Sequence, residues 1–252
     1  RAVIILGARR VGKTTLIKQI IKEKLSKKKI IQFNCDLISD RQKLTETTAV
    51  VDLVKEYDVI YIDEAQKVEN IGNIIKILVD YYKKKKIFLI TGSSAINLQY
   101  RTSETLTGRK FIYNLYPFTI SEILKDSNLL TKEDYKKYLT YGLYPEVINT
   151  SDTGLKEEIL LELVNGYLFK DLLDWQLVRN SEVVMKLLQA LALQIGSEVS
   201  YNELAQIVGI DKETVSRYVE LLEQSFVIFR LPPFFTNKRK VISKLRRVYF
   251  WD

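Results

Sequence analysis

The sequence predicts an α/β fold: a parallel sheet with helices on both faces, followed by a second, helix-rich part. Three observations predict it. Over residues 2–115, short apolar runs alternate with amphipathic stretches, the pattern of repeated strand–helix–strand units. The strongest runs, VIYI and IFLI, have the length of strands. From residue 118 to about 180 helical periodicity takes over.

Taken in order, the expected strands are 2–6, 30–35, 58–62, 87–91 and 111–115. Helices are expected at 13–25, at about 43–55 and at 70–84. In the last of these, Ile71, Ile74, Ile75, Leu78 and Tyr82 fall on one face. Pro117 closes the final strand, and Thr119 with Glu122 has the spacing of a capping box. Residues 1–117 thus form a core domain. Residues 118–180 read as an all-helical lid, broken at YGLYPE. Residues 181–235 run helix, short helix capped by Ser200, turn at Gly209, longer helix DKETVSRYVELLEQ and extended FVIFRLPPF. That order predicts a winged helix. Residues 236–252 are a basic segment, and both chain ends read as cuts through a longer protein.

Composition narrows the chemistry. The single cysteine, Cys35, excludes an internal disulfide and fits a reducing cytoplasm. With no histidine, imidazole metal sites and Ser-His-Asp or Cys-His catalysis are excluded together. No apolar run reaches membrane-spanning length. The net charge of +8 permits a polyanionic partner without requiring one. Lysine runs at 27–29 and 83–86 precede strands. They should therefore lie on the rim opposite the ligand end of a parallel sheet, where they read as solvated.

Residues 7–15, GARRVGKTT, follow the first strand and open the first helix. Gly7 and Gly12 let backbone N–H groups curl around an anion at a helix N-terminus. Lys13 is positioned for the β- and γ-phosphates, and Thr14 for Mg²⁺. With Arg10, Val11 and Thr15 these residues make the candidate nucleotide cradle of a P-loop NTPase. The side chains of Arg9 and Arg10 are not needed for the cradle; solvent, an acidic neighbour or a partner subunit would each suit them. Fifty residues on, DVIYIDEAQ gives a buried strand ending in Asp63, a candidate Mg²⁺ residue acting through water. Glu64 beside it is the candidate base for the attacking water. A GTPase would carry Asp-x-x-Gly here. TKED at 131–134 matches a guanine-reading motif but follows no strand, and reads better as a helix cap at Thr131. ATP and Mg²⁺ are therefore the expected ligands. Ser93, and after it Thr91, is the candidate sensor of the γ-phosphate at the next strand tip. Arg109, before the last core strand, is a candidate for reaching a neighbouring subunit's γ-phosphate; a local salt bridge competes with that role.

The ordered set GARRVGKTTL, YIDEAQ, ITGSSA, LTGR, LYPFTISEIL, YGLYPEV and PFFTNKRK resembles a prokaryotic family of AAA-type ATPases. In that family a P-loop domain precedes a helical lid, a winged helix and a domain resembling restriction endonucleases. The resemblance covers essentially the whole chain and implies Mg²⁺-dependent ATP hydrolysis. It carries the P-loop onto Gly7, Gly12, Lys13 and Thr14, and the acidic pair onto Asp63 and Glu64. It also carries the polar strand tip onto Ser93 and the Gly-Arg onto Arg109. A lid proline near the adenine would be Pro145. The chain departs from the pattern at Leu143, where a second glycine is usual, and at Ile71, where a tryptophan is usual. The nuclease-like domain would begin where this chain ends.

For DNA, the longer helix of the winged-helix region offers Lys212, Thr214, Ser216 and Arg217 but also Asp211, Glu213, Glu220 and Glu223. The segment NKRKVISKLRR, with Lys238, Arg239, Lys240, Lys244, Arg246 and Arg247 and no acid, is the better candidate for phosphates. The reading is an ATPase whose nucleotide cycle moves the lid and winged helix. A slow ATP-gated switch and a DNA-binding module with a structural P-loop are its rivals.

Overall fold

The structure, a computed structural model, describes residues 1–93, 106–124, 130–168, 181–234 and 246–252. They fall into two compact units, Arg1–Tyr116 and Pro117–Asp252.

The first unit is built on five parallel strands among the described residues: β1 (Ala2–Leu6), β2 (Ile30–Asn34), β3 (Val59–Asp63), β4 (Ile87–Gly92) and β5 (Lys110–Asn114), in the order β2-β3-β4-β1-β5. From β1 the chain passes over two strand positions to β2 at the edge, then returns through β3 and β4. Both faces of the central strands are covered, as parallel sheets require. On one face, Ile5, Val59, Tyr61 and Leu89 pack with Ile17 of α1 (Lys13–Lys24). Residues of the opposite parity, Ile4, Ile60, Ile62, Phe88 and Ile90, are equally buried. The expected apolar face of α4 (Ile71–Tyr82) is buried throughout.

The helix expected at about 43–55 begins later, at Thr47, and an unexpected short helix precedes it. Residues 38–53 form α2 (Ile38–Lys43) and α3 (Thr47–Leu53), separated by a turn. At the break the Thr45 hydroxyl donates to the Gln42 carbonyl at 2.6 Å, satisfying a helix end that would otherwise have continued. The lysine runs do precede β2 and β4, but Lys86 is not a solvated rim charge. Its Nζ donates to the carbonyls of Val54 at 3.0 Å and Lys55 at 2.7 Å, and also to that of Tyr57, while sitting over the Tyr82 ring. It thereby closes the carboxyl end of α3, where a cation suits the exposed carbonyls.

The described residues of the second unit form helices and then an antiparallel ribbon. Helix α5 (Ile120–Ile123) carries the expected Thr119–Glu122 capping box. In α6 (Lys132–Tyr141), Thr131 and Asp134 form another, so TKED is a helix start. Next come α7 (Pro145–Asn149) and α8 (Thr153–Glu162), the latter passing into a π-helical stretch, Leu163–Leu168. Then α9 (Ser181–Ala192), α10 (Tyr201–Val208) and α11 (Lys212–Gln224) lead to β6 (Ile228–Leu231), which pairs with β7 (Arg247–Phe250). Ser200 and Asp211 cap α10 and α11, and Gly209 ends α10 at φ 77°. Phe229 stacks on Tyr249 across the ribbon, and Arg230 binds Glu223 of α11 and the Tyr201 hydroxyl.

Beyond β7, the Asp252 carboxylate returns to the loop between α6 and α7, accepting from the Leu143 N–H at 2.5 Å. Gly142, at φ 74° and ψ −169°, has a backbone conformation that only glycine adopts freely. A Cβ there would also stand 2.7 Å from Asp252 Cγ. Enclosure by the loop pushes the Asp252 carboxyl up to about 6, opposed by N–H donation from Leu143 and Tyr144. The Tyr144 phenol is pushed up to about 12 by burial and by the Asp252 charge.

Candidate functional site

The site lies at the carboxyl end of the sheet, where β1, β3 and β4 terminate side by side. Gly7 leaves β1 so close to the Leu115 carbonyl that a Cβ would strike it. Gly12, at φ 99°, is the N-cap of α1 and offers no side chain to the first turn, which also has no acidic residue. The amide donors of that turn thus face the loop without a side-chain cap, the arrangement that receives a phosphate. Lys13 is buried, and its Nζ donates to the carbonyls of Gly7 at 2.9 Å and Ala8 at 2.7 Å. Val11 is buried under the loop, Thr15 is exposed, and Arg9 and Arg10 are half-buried with interactions of their own. Arg10 holds φ 58°.

Thr14 and Asp63 meet. The Thr14 hydroxyl donates to Asp63 Oδ2 at 3.0 Å, and the Thr91 hydroxyl donates to Asp63 Oδ1. Asp63 is therefore a buried carboxylate that accepts from two hydroxyls. Such a carboxylate suits a hard cation and its water. Among the described residues no cluster of three or more His, Cys, Asp or Glu gathers that could hold a metal by itself. A Thr–Asp pair beside a phosphate cradle is a donor set that fits Mg²⁺ only together with phosphate oxygens. Burial and the Asp63 charge raise the Tyr61 phenol, two residues earlier on the same face of β3.

Glu64 follows Asp63 in the left-handed region, φ 52° and ψ 43°. That reversal turns the chain into the 3₁₀ turn Ala65–Lys67, and Gln66 comes to face Glu64. Gln66 Nε2 donates to Glu64 Oε2 at 2.5 Å and to Ser93 Oγ at 2.9 Å. Sequence reasoning placed Glu64 and Ser93 but missed Gln66. An i, i+2 pair shares a face on a strand but stands too far apart to bond, on a helix it points apart, and nothing in DEAQ announces the left-handed turn.

The structure thus brings Gly7, Gly12, Lys13, Thr14, Asp63, Glu64, Thr91 and Ser93 to one rim. It does not bring Arg109 there. Arg109 stands just before β5, at the amino end of the sheet, and its Nε donates to Asp80 Oδ1 of α4 at 2.6 Å. Pro145 is the first residue of α7 in the second unit. Of the basic segment, Lys238, Arg239, Lys240 and Lys244 lie outside the described residues. Arg247 begins β7, exposed, and Arg246 precedes it, also exposed.

Residues 1–124 match the family described as AAA domain, and residues 132–252 match a domain of unknown function. An uncharacterized protein of Methanocaldococcus jannaschii is 30% identical over 95% of this chain and 58% of its own length. Uncharacterized proteins of Haemophilus influenzae and Mycobacterium tuberculosis are each 26% identical, over 90% and 99% of this chain and 61% and 54% of their own. The chain therefore spans little more than half the length of these relatives. Among solved structures, domain III of the replication initiation protein DnaA from Thermotoga maritima aligns over 83% of both chains, with 14% identity and a TM-score of 0.36. Motif, strand order and family match agree in likening residues 1–124 to an AAA-type P-loop domain.

Proposed function

We propose that this protein binds ATP with Mg²⁺ and hydrolyses it. The observation that carries the reading is the meeting of Thr14 and Asp63 at 3.0 Å beside a glycine-framed helix start, with Glu64 next in the chain. The Gly7–Thr15 backbone would hold the phosphates, Lys13 would exchange its carbonyl partners for phosphate oxygens, and Thr14 and Asp63 would hold the metal. Mg²⁺, when bound, neutralises phosphate charge. Glu64 accepts a hydrogen from the attacking water and orients it, and Ser93 donates its hydroxyl proton toward the terminal phosphate. Hydrolysis moves the helical lid, to which Pro145 would contribute an adenine contact, and the winged helix formed by α9–α11 with β6 and β7. The setting is cytoplasmic, in keeping with one buried cysteine, and among the described residues no helix is long and apolar enough to cross a membrane.

The test is direct. Lys13→Ala should lose ATP binding. Glu64→Gln should bind ATP within a few-fold of the parent while its phosphate release falls by at least a hundredfold. Unchanged turnover in Glu64→Gln removes Glu64 from the mechanism. DNA is the proposed polyanion for residues 238–247. ATPase rate with and without duplex DNA tests it, with stimulation that fades as salt rises the expected result.

A further inference from the structure

Gln66 is buried, with 9% of its surface exposed, and both hydrogens of its amide are used: one on Glu64, one on Ser93. The orientation of that amide is chemically determined. Glu64, when ionised, only accepts, so the NH₂ end must face it. Oε1 then remains as a buried acceptor with no partner among the described residues. A buried acceptor of this kind is what a bound water satisfies. Ser93, because its oxygen accepts from Gln66, keeps its own O–H proton available to donate elsewhere. The bridge therefore runs from the tip of β4 to the residue that follows β3, and its two ends are the proposed phosphate sensor and the proposed base.

We propose that Gln66 is the positioning residue of this site: it joins Ser93 to Glu64, fixes the glutamate carboxylate, and offers Oε1 as a second acceptor for the attacking water. This rests on the ATPase reading. Gln66 touches the base and the sensor, so its loss should act on turnover and leave nucleotide affinity alone.

The experiment combines kinetics with a readout independent of turnover. Gln66→Ala and the nearly isosteric Gln66→Met should each lower kcat at least tenfold with ATP Kd within twofold of the parent. The double variant Gln66→Ala/Ser93→Ala should be no more than threefold slower than the slower single variant, because both break one bridge. A kcat within twofold of the parent, a rise in rate, or losses that multiply in the double variant would overturn the proposal. In the parent, the Gln66 side-chain NH₂ resonances, identified by their absence from the Gln66→Ala spectrum, should be protected from solvent exchange and lose that protection in Ser93→Ala. If the parent shows no hydrolysis, the ATPase reading fails. The bridge is then decided by the exchange rates, and an amide as fast as that of an exposed glutamine overturns it.

Discussion

Arg10, within the Gly7–Thr15 loop, and Glu64, after β3, both hold backbone conformations that side chains avoid, at φ 58° and 52°. A non-glycine residue there costs on the order of 1–3 kcal/mol and persists where the surroundings over-determine it. For Glu64 the return is visible, since the reversal aims its carboxylate at Gln66. For Arg10 the conformation belongs to the loop itself. Arg10→Gly and Arg10→Val delete the same guanidinium, so their difference isolates the backbone. The glycine variant should be more stable by about 1–2 kcal/mol in denaturant melts, since a β-branched residue fits the left-handed region worst. Equal stabilities would show that the loop relaxes instead. Cys35 supplies another residue-scale expectation. It is fully buried, and burial with the nearby carboxylates of Asp40 and Asp63 raises its thiol to about 12. It should react with a thiol reagent only at the rate at which β2 opens, and prompt stoichiometric labelling of the folded protein would contradict the packing described.

At the scale of elements, the loop between α6 and α7 depends on two residues far apart in sequence, Gly142 and Asp252. Gly142→Ala combines a forbidden conformation with a clash, and should lower the stability of the second unit by several degrees in Tm while leaving the P-loop domain's melt in place. The Asp252 carboxyl is raised from 3.8 to about 6 in the folded state. A carboxyl raised on folding favours the folded form while protonated: that contribution is complete below the unfolded value and is lost as pH rises through 6. Asp252→Asn should therefore show a flatter dependence of stability on pH between 4 and 7 than the parent. Parallel curves would show that the charge is not desolvated. Strands and caps were legible in the sequence because their causes are local: apolar runs set β1 to β5, and Thr119 and Thr131 announced α5 and α6 through the acid three residues on. The short helix α2 was hidden, because its six residues are too few to show a helical period. Gln66 and Asp252 were illegible for a different reason. One needs a left-handed turn to reach its partner, and the other pairs with a backbone N–H across 109 positions.

For the whole molecule, the placement of Arg109 is the informative fact. It sits at the rim opposite its own P-loop, so any contact it makes with a γ-phosphate must be with another chain's. Its present partner, Asp80, is an exposed carboxylate, and such a pair exchanges readily for a stronger anion. ATP should then promote head-to-tail association, and a heterologous contact of that kind closes into a ring or grows as a filament. ATPase rate per chain should rise with protein concentration in the parent and stay flat in Arg109→Ala, while Asp80→Ala, which frees the arginine, should preserve the rise. An ATP-bound monomer of full activity, seen by light scattering, would remove Arg109 from the site.

The Asp252 bond also sets an order of events during synthesis. Each described strand of the first unit has been made once residue 116 has emerged, so that unit can close while the rest of the chain is still being translated. The loop at Leu143 cannot, because its acceptor is made 109 residues later. At about 5–20 residues per second that is a wait on the order of 5–20 s. A nascent chain therefore passes through a period in which the first unit is complete and the loop ahead of α7 is unfastened.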